Sequence, residues 1–185
     1  MIIRKFSVRL FFLFLFGLLS SFPAWAKEPI RSLSGIVVKV ADGGTITVNS
    51  EGTKVKVRLY GIDAPETEKS NRRTGGVRKP GQPYGEEALR ALSDKVMGKQ
   101  VRLDVMDIDE YKRAVCIVNL GERNINLEMV VEGWAWAYRQ YLDRPYASGY
   151  IRAEEQARAA RRGLWVQSNP QPPWEFRKVQ RVRWY

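Results

Sequence analysis

Residues 34–66 read SGIVVKVADGGTITVNSEGTKVKVRLYGIDAPE. Two β-branched runs, Ser34 to Val40 and Thr45 to Val48, flank Ala41-Asp42-Gly43-Gly44. That order predicts a strand, a tight Asp-Gly turn and a second strand. From Lys54 to Ile62 the pattern alternates: Val55, Val57 and Leu59 share one face, and Lys56, Arg58 and Tyr60 share the other. This predicts a third, half-buried strand. Pro65 makes the chain beyond it extend or turn. Arg58 therefore lies on the strand, and Asp63 and Glu66 lie at its end.

Downstream, Thr67 to Pro83 is rich in Gly, Pro and basic residues and has no apolar period, so it predicts an exposed loop. Gly85 to Met97 places Ala88, Leu89, Leu92 and Val96 at helical spacing. Val101 to Met106 alternates, and Ala114 to Leu120 is a mostly apolar strand. Asn126 to Glu132 predicts a short helix. Tyr150 to Arg162 predicts another, with Gly163 at its stop. The Trp134/Trp136 pair and Trp165 suit a core, because alternating aromatics on short strands pack. About five short strands and about three helices predict an α+β, mainly β chain on a five-stranded Greek-key barrel of the OB type.

The chain has 185 residues, which suggests one domain. Lys and Arg number 31 against 20 Asp and Glu, a formal net charge of +11. There is no histidine, which excludes Ser-His-Asp and Cys-His hydrolases and His-ligated zinc. The lone Cys116 excludes an intramolecular disulfide and a CxxC zinc site. At the start, Arg4, Lys5 and Arg9 precede the apolar run Leu10 to Leu19, Pro23 and Ala24-Trp25-Ala26. Residues 1–26 read as a secretory signal peptide, giving export to the periplasm or medium without stable membrane insertion after cleavage. The competing reading, an uncleaved anchor, needs a longer apolar run. Residues 27–165 would then form the domain. Residues 166–185 form a tail with three prolines and Arg177, Lys178, Arg181 and Arg183 among Trp174, Phe176, Trp184 and Tyr185.

Two places carry chemistry. In Arg58 to Glu66, a cation and two carboxylates at a strand end can hold a hard metal ion and activate water beside a phosphate. Asp109-Glu110-Tyr111-Lys112-Arg113 lies between two strands. Alone, each also reads blandly, as a solvated acidic turn and a hairpin loop.

Together, in order, they are specific. Asp42-Gly43-Gly44-Thr45, Arg58 to Glu66, Tyr84-Gly85, Asp109-x-Tyr111-x-Arg113, Asn126 with Glu128, and Arg162-Gly163-Leu164-Trp165 make the chain resemble the staphylococcal-nuclease-like (thermonuclease) family from about Ser34 to Trp165. The resemblance implies a Ca²⁺-dependent phosphodiesterase on an OB barrel. Arg58 and Arg113 match the family's active-site arginines, and Glu66 matches its glutamate. Asp63 and the backbone carbonyl of Ala64 match calcium ligands. Two guanidiniums suit the charge that builds on phosphoryl oxygens, and Glu66 suits the orientation or deprotonation of water. The family pattern at the first turn is Asp-Gly-Asp-Thr. Gly44 here stands where that pattern has a calcium-binding aspartate. This implies a weakened site, filled by water or by Asp42, or a barrel that binds nucleic acid without cutting it. Lys112 stands where the family has Gly or Asp.

The basic loop residues Lys69, Arg72, Arg73, Arg78 and Lys79 suit phosphate contacts that read no sequence. Tyr84 and Tyr111 match substrate-contacting tyrosines, with packing as the alternative for each. The expected partners are DNA and RNA, with single strands preferred, and the expected state is a monomer.

Overall fold

Chain order follows the alternation read from residues 34–66. In the computed structural model, residues 28–71 and 73–183 are described. The expected signal segment, Arg72, Trp184, Tyr185 and the side chains of Arg181 and Arg183 lie outside the described residues. The strands are β1 (Arg31–Asp42), β2 (Thr45–Ser50), β3 (Thr53–Leu59), β4 (Ile62–Asp63), β5 (Lys69–Ser70) and β6 (Val77–Lys79). After helix α1 (Gly85–Val96) come β7 (Gln100–Ile108), β8 (Ala114–Leu120) and β9 (Arg123–Asn124). Helix α2 (Ile125–Val131), strand β10 (Trp136–Ala137), and helices α3 (Arg144–Ala159) and α4 (Pro173–Arg183) complete the order.

The main sheet runs β3-β2-β1-β7-β8-β9, and a further β3–β8 pairing closes it. β1, β2, β3, β7 and β8 thus form the expected five-stranded barrel, with all pairings antiparallel except the closing one. Closure follows from the pattern. Val37, Ile46, Val48, Val57, Leu59, Leu103, Cys116 and Val118 turn inward and are essentially fully buried. Alternating apolar faces on every strand leave one interior to share. Helix α1 adds Ala88, Leu92 and Val96 to that core, and α2 adds Ile125, Met129 and Val130. A second apolar cluster joins Trp136, Ala157, Leu164 and Trp165, with Tyr84 and Trp174 packed against it. Trp136 and Trp165 are therefore core residues, as expected.

Four features differ from the sequence reading. The strand expected to run from Lys54 to Ile62 stops at Leu59, because Gly61 takes φ 72° and a Cβ there would meet Leu142 Cδ2 at 2.4 Å. The chain turns, and Ile62–Asp63 pairs instead with Trp136–Ala137. The expected open loop holds a small hairpin, β5–β6. The helix expected from Tyr150 begins earlier, at Arg144, with Pro145 in its first turn. The tail expected after Trp165 carries a fourth helix, α4. No helix among the described residues is long and apolar enough to cross a membrane.

Candidate active site

The site lies where β3 leaves the barrel. Val57 and Leu59 point inward, so Arg58 between them points out. The turn after it is held from both sides. Leu59 N–H donates to Gly44 O at 2.9 Å, and Tyr60 N–H donates to Cys116 O at 2.8 Å. The fully buried Asn126 makes three bonds around this turn. Its Nδ2 donates to Tyr60 O (3.0 Å) and Cys116 O (2.9 Å), and its Oδ1 accepts from Val118 N–H (2.9 Å). Asp63 is then fixed by strand pairing opposite Trp136 and is only 5% exposed. Glu66 is fixed through its backbone: its N–H donates to Gln82 Oε1 (3.0 Å), and its carbonyl accepts from Gln82 N–H (2.8 Å).

Ala64 packs against the first turn, and this explains Gly43. A Cβ on Gly43 would lie 2.8 Å from Ala64 Cβ and 2.7 Å from Ala88 Cβ, so only glycine lets the turn approach. Gly44 is different. A Cβ there would meet only Asp42 Oδ1, at an ordinary 3.9 Å. Asp42 does not reach toward Asp63. Its Oδ1 accepts from Gly44 N–H at 3.0 Å and caps the turn.

The carboxylates converge on arginines. Arg58 Nη2 donates to Asp63 Oδ1 at 3.3 Å. Arg177, from α4, donates from Nη2 to Asp63 Oδ2 (2.7 Å), and from Nη1 to Asp63 Oδ1 (3.2 Å) and Glu66 Oε1 (2.8 Å). Burial pushes the Asp63 carboxyl above the usual range, against the opposing pull of Arg177 and Arg58. Burial works against the charge of Arg177 as well, yet its bonds to Asp63 and Glu66 hold it above the ordinary guanidinium range.

Arg113 has no hydrogen bond to Asp63, Glu66 or Arg177 among the described residues. Its Nε donates to Asp109 Oδ2 at 2.7 Å, and its guanidinium lies 5.4 Å from the centre of the Tyr111 ring. Burial alone would raise Asp109, but the N–H groups and guanidinium it accepts from hold it below the usual range. Arg113 immediately precedes β8, whose first residue, Ala114, pairs with Val57 of β3. Arg58 itself faces Val115 across the parallel closure. Lys112 takes φ 59°, the conformation that glycine would adopt freely.

The remaining predicted residues separate into two groups. Lys69 is tied down, donating to Ala41 O at 3.0 Å and to Thr67 Oγ1. Arg73, Arg78 and Lys79 are exposed on and beside the β5–β6 hairpin. Tyr111 is 65% exposed at its loop tip, whereas Tyr84 packs against the Trp136 cluster. Sequence reasoning missed Gln82, Asn126 as a scaffold, Tyr138 and Arg177. Arg58 lies 5.9 Å from the Tyr138 ring centre, and Trp174 stacks flat on that ring (5.2 Å, 3°). A double proline followed by aromatics, Pro172-Pro173-Trp174, was the one local signal of a helix start.

The donors that could hold a hard cation are the Asp63 carboxylate, the Ala64 carbonyl and Glu66. No group of three His, Cys, Asp or Glu gathers to hold a metal ion among the described residues. Both Asp63 carboxylate oxygens and Glu66 Oε1 accept from the Arg177 guanidinium. These oxygen donors are of the kind a hard cation takes, and a Cβ on Gly44 would have open space around it.

Residues 56–167 match the family described as staphylococcal nuclease homologue. Arg58, Asp63, Glu66 and Arg113 fall inside the match, while Gly44 and Arg177 fall outside it. An "Uncharacterized endonuclease" of Haemophilus influenzae is 40% identical over 147 residues, covering 79% of this chain and 74% of that one. A "Micrococcal nuclease" of Shigella flexneri is 35% identical over 171 residues, covering 88% and 87%. "Protein ParB" of Escherichia coli is 36% identical over 165 residues, covering 84% and 82%. With its barrel, its arginine–carboxylate centre and these relatives, the chain belongs to the staphylococcal nuclease family.

Proposed function

We propose that this protein is an exported nuclease that hydrolyses phosphodiester bonds in DNA and RNA with little sequence preference and favours single strands. The observation that carries the reading is the convergence of Arg58, Asp63 and Glu66 at one barrel exit, where Arg58 meets Asp63 and one guanidinium spans Asp63 and Glu66. Relatives named as nucleases support it.

The chemistry follows from the side chains. Glu66 orients a water and takes its proton as the water oxygen attacks phosphorus. The ester bond to the leaving oxygen breaks, and that oxygen leaves with a proton drawn from solvent. Arg58 and Arg113 donate to the phosphoryl oxygens, whose charge grows toward the transition state. Calcium, held by Asp63 and the Ala64 carbonyl, would supply further charge neutralisation. Arg73, Arg78 and Lys79 meet the backbone phosphates of a strand that extends past the site, without reading its bases. Export rests on residues 1–26, and action as a monomer is part of the same proposal.

Gly44 favours a second reading, a barrel that binds single-stranded nucleic acid without turnover. One experiment separates the two. Purified residues 27–185 are mixed with heat-denatured DNA in millimolar calcium and in chelator, with Glu66→Gln as the contamination control. The nuclease reading expects calcium-dependent cutting that the variant loses, with DNA binding retained. Salt-sensitive binding by the wild type without any cutting refutes it.

A further inference from the structure

We propose that Arg177 is a positioning residue of the active centre and that helix α4 completes the site, so the C-terminal segment is not an appended basic tail. This rests on the nuclease reading above and extends it to a residue outside the matched family region.

The geometry is that of a bridge. One guanidinium spans both carboxylates, with two bonds to Asp63 and one to Glu66. A planar fork can fix two carboxylates in one relative orientation, which a single ammonium cannot do. The bond to Glu66 takes Oε1 and leaves Oε2 uncommitted among the described residues. Arg177 therefore turns the glutamate so that one oxygen is anchored and the other can meet a water.

A second, independent tie leads to the same place. Gln82 accepts from Glu66 N–H through Oε1 (3.0 Å) and donates from Nε2 to Gln171 O (3.1 Å). One side chain thus links the backbone of the catalytic glutamate to the segment that leads into α4. The helix itself is seated. Trp174 stacks on Tyr138 and meets Trp136 edge-on at 5.5 Å, and Pro173 is buried. An eleven-residue helix is marginal alone in water, so this docking is what holds Arg177 in place.

The opposite possibility is a latch: a guanidinium that blocks the carboxylates until it is displaced. The two make opposite predictions. The experiment compares wild type, Arg177→Ala, Arg177→Lys and the exposed-site control Glu175→Gln. It uses steady-state hydrolysis of single-stranded DNA, and fluorescence-anisotropy binding of an oligonucleotide in a Glu66→Gln background. Thermal melts establish that each variant is folded.

Positioning expects kcat to fall about 10–100-fold in Arg177→Ala, a loss typical of removing a partner that orients a reacting group. It expects oligonucleotide affinity within about threefold of the parent, partial recovery in Arg177→Lys, and no change in Glu175→Gln. A rise in turnover in Arg177→Ala means a latch and overturns the proposal. Unchanged turnover, or affinity that falls in step with kcat, overturns it too. Absence of turnover in the wild type is a different failure, that of the nuclease reading itself.

Discussion

Asn126→Ala is the sharpest test of how the scaffold aims the site. Asn126 is fully buried, and its amide closes three bonds between α2, the end of β3 and β8. Truncation leaves Val118 N–H and Tyr60 O without the amide, while Cys116 O keeps its bond from Tyr60 N–H. Two buried groups at ~1–3 kcal/mol each give a destabilisation of about 4 kcal/mol. A domain of this kind has ~5–15 kcal/mol in hand, so the variant folds with little margin. With a urea slope of about 2 kcal/mol per molar, the unfolding midpoint falls by about 2 M at unchanged slope. Asn126→Asp adds a second arm. Its ionised form sets an anionic oxygen against two carbonyls, so its folded-state pKa is raised. Stability relative to wild type is then kept at low pH and lost as pH rises above the unfolded carboxyl value near ~4. Urea melts at pH 4.5 and pH 7.5 read both arms. A loss below about 1 kcal/mol in Asn126→Ala, or a pH-independent loss in Asn126→Asp, would refute the reasoning.

Three further outcomes follow from neighbouring contacts. Gly43→Ala should cost ~1–3 kcal/mol through its clashes with Ala64 and Ala88, whereas Gly44→Ala should be tolerated, as paired denaturant melts will show. Gly44→Asp should tighten calcium binding about tenfold or more by calorimetry, because affinity follows the number of carboxylates. An unchanged isotherm would mean that another group already serves there. Burial pushes the Tyr60 phenol up to about 12. The neutral hydroxyl's stabilisation is therefore intact below pH ~10 and is lost as pH rises toward 12. Tyr60→Phe should flatten part of the alkaline melting curve, leaving the contributions of Cys116, pushed up to about 12, and of Tyr150, Tyr138 and Tyr146, which burial also raises.

The barrel was legible because its information is local. Alternation along β1, β2, β3, β7 and β8 states which face is buried, and five such faces specify a closed interior. The break after β3 was legible too, in retrospect. Val55, Val57 and Leu59 keep phase, while Ile62 falls one residue out of it, and Gly61 stands where an inward side chain would be. The helix in the tail was not legible in the same way. Its apolar contacts are with Tyr138 and Trp136, so only tertiary packing decides that the segment folds. Arg177 reads locally as one of several basic residues, and its partners lie 111 and 114 positions away.

That distance explains why the site needs the whole chain. A carboxylate as buried as Asp63 is tolerated only when a cation meets it. Arg58, five residues away, reaches one oxygen at 3.3 Å. The second oxygen is met from elsewhere, by Arg177 Nη2 at 2.7 Å. Strand β4 is pinned against β10, and Pro65 directs the chain away. That partner comes from α4, which Trp174 seats by stacking on Tyr138 and meeting Trp136 edge-on. The same pairing that hides Asp63 from water builds the aromatic seat that delivers its cation. Burial of the acid and docking of α4 are thus two consequences of one strand contact. A change that loosens β4 from β10 should release both together.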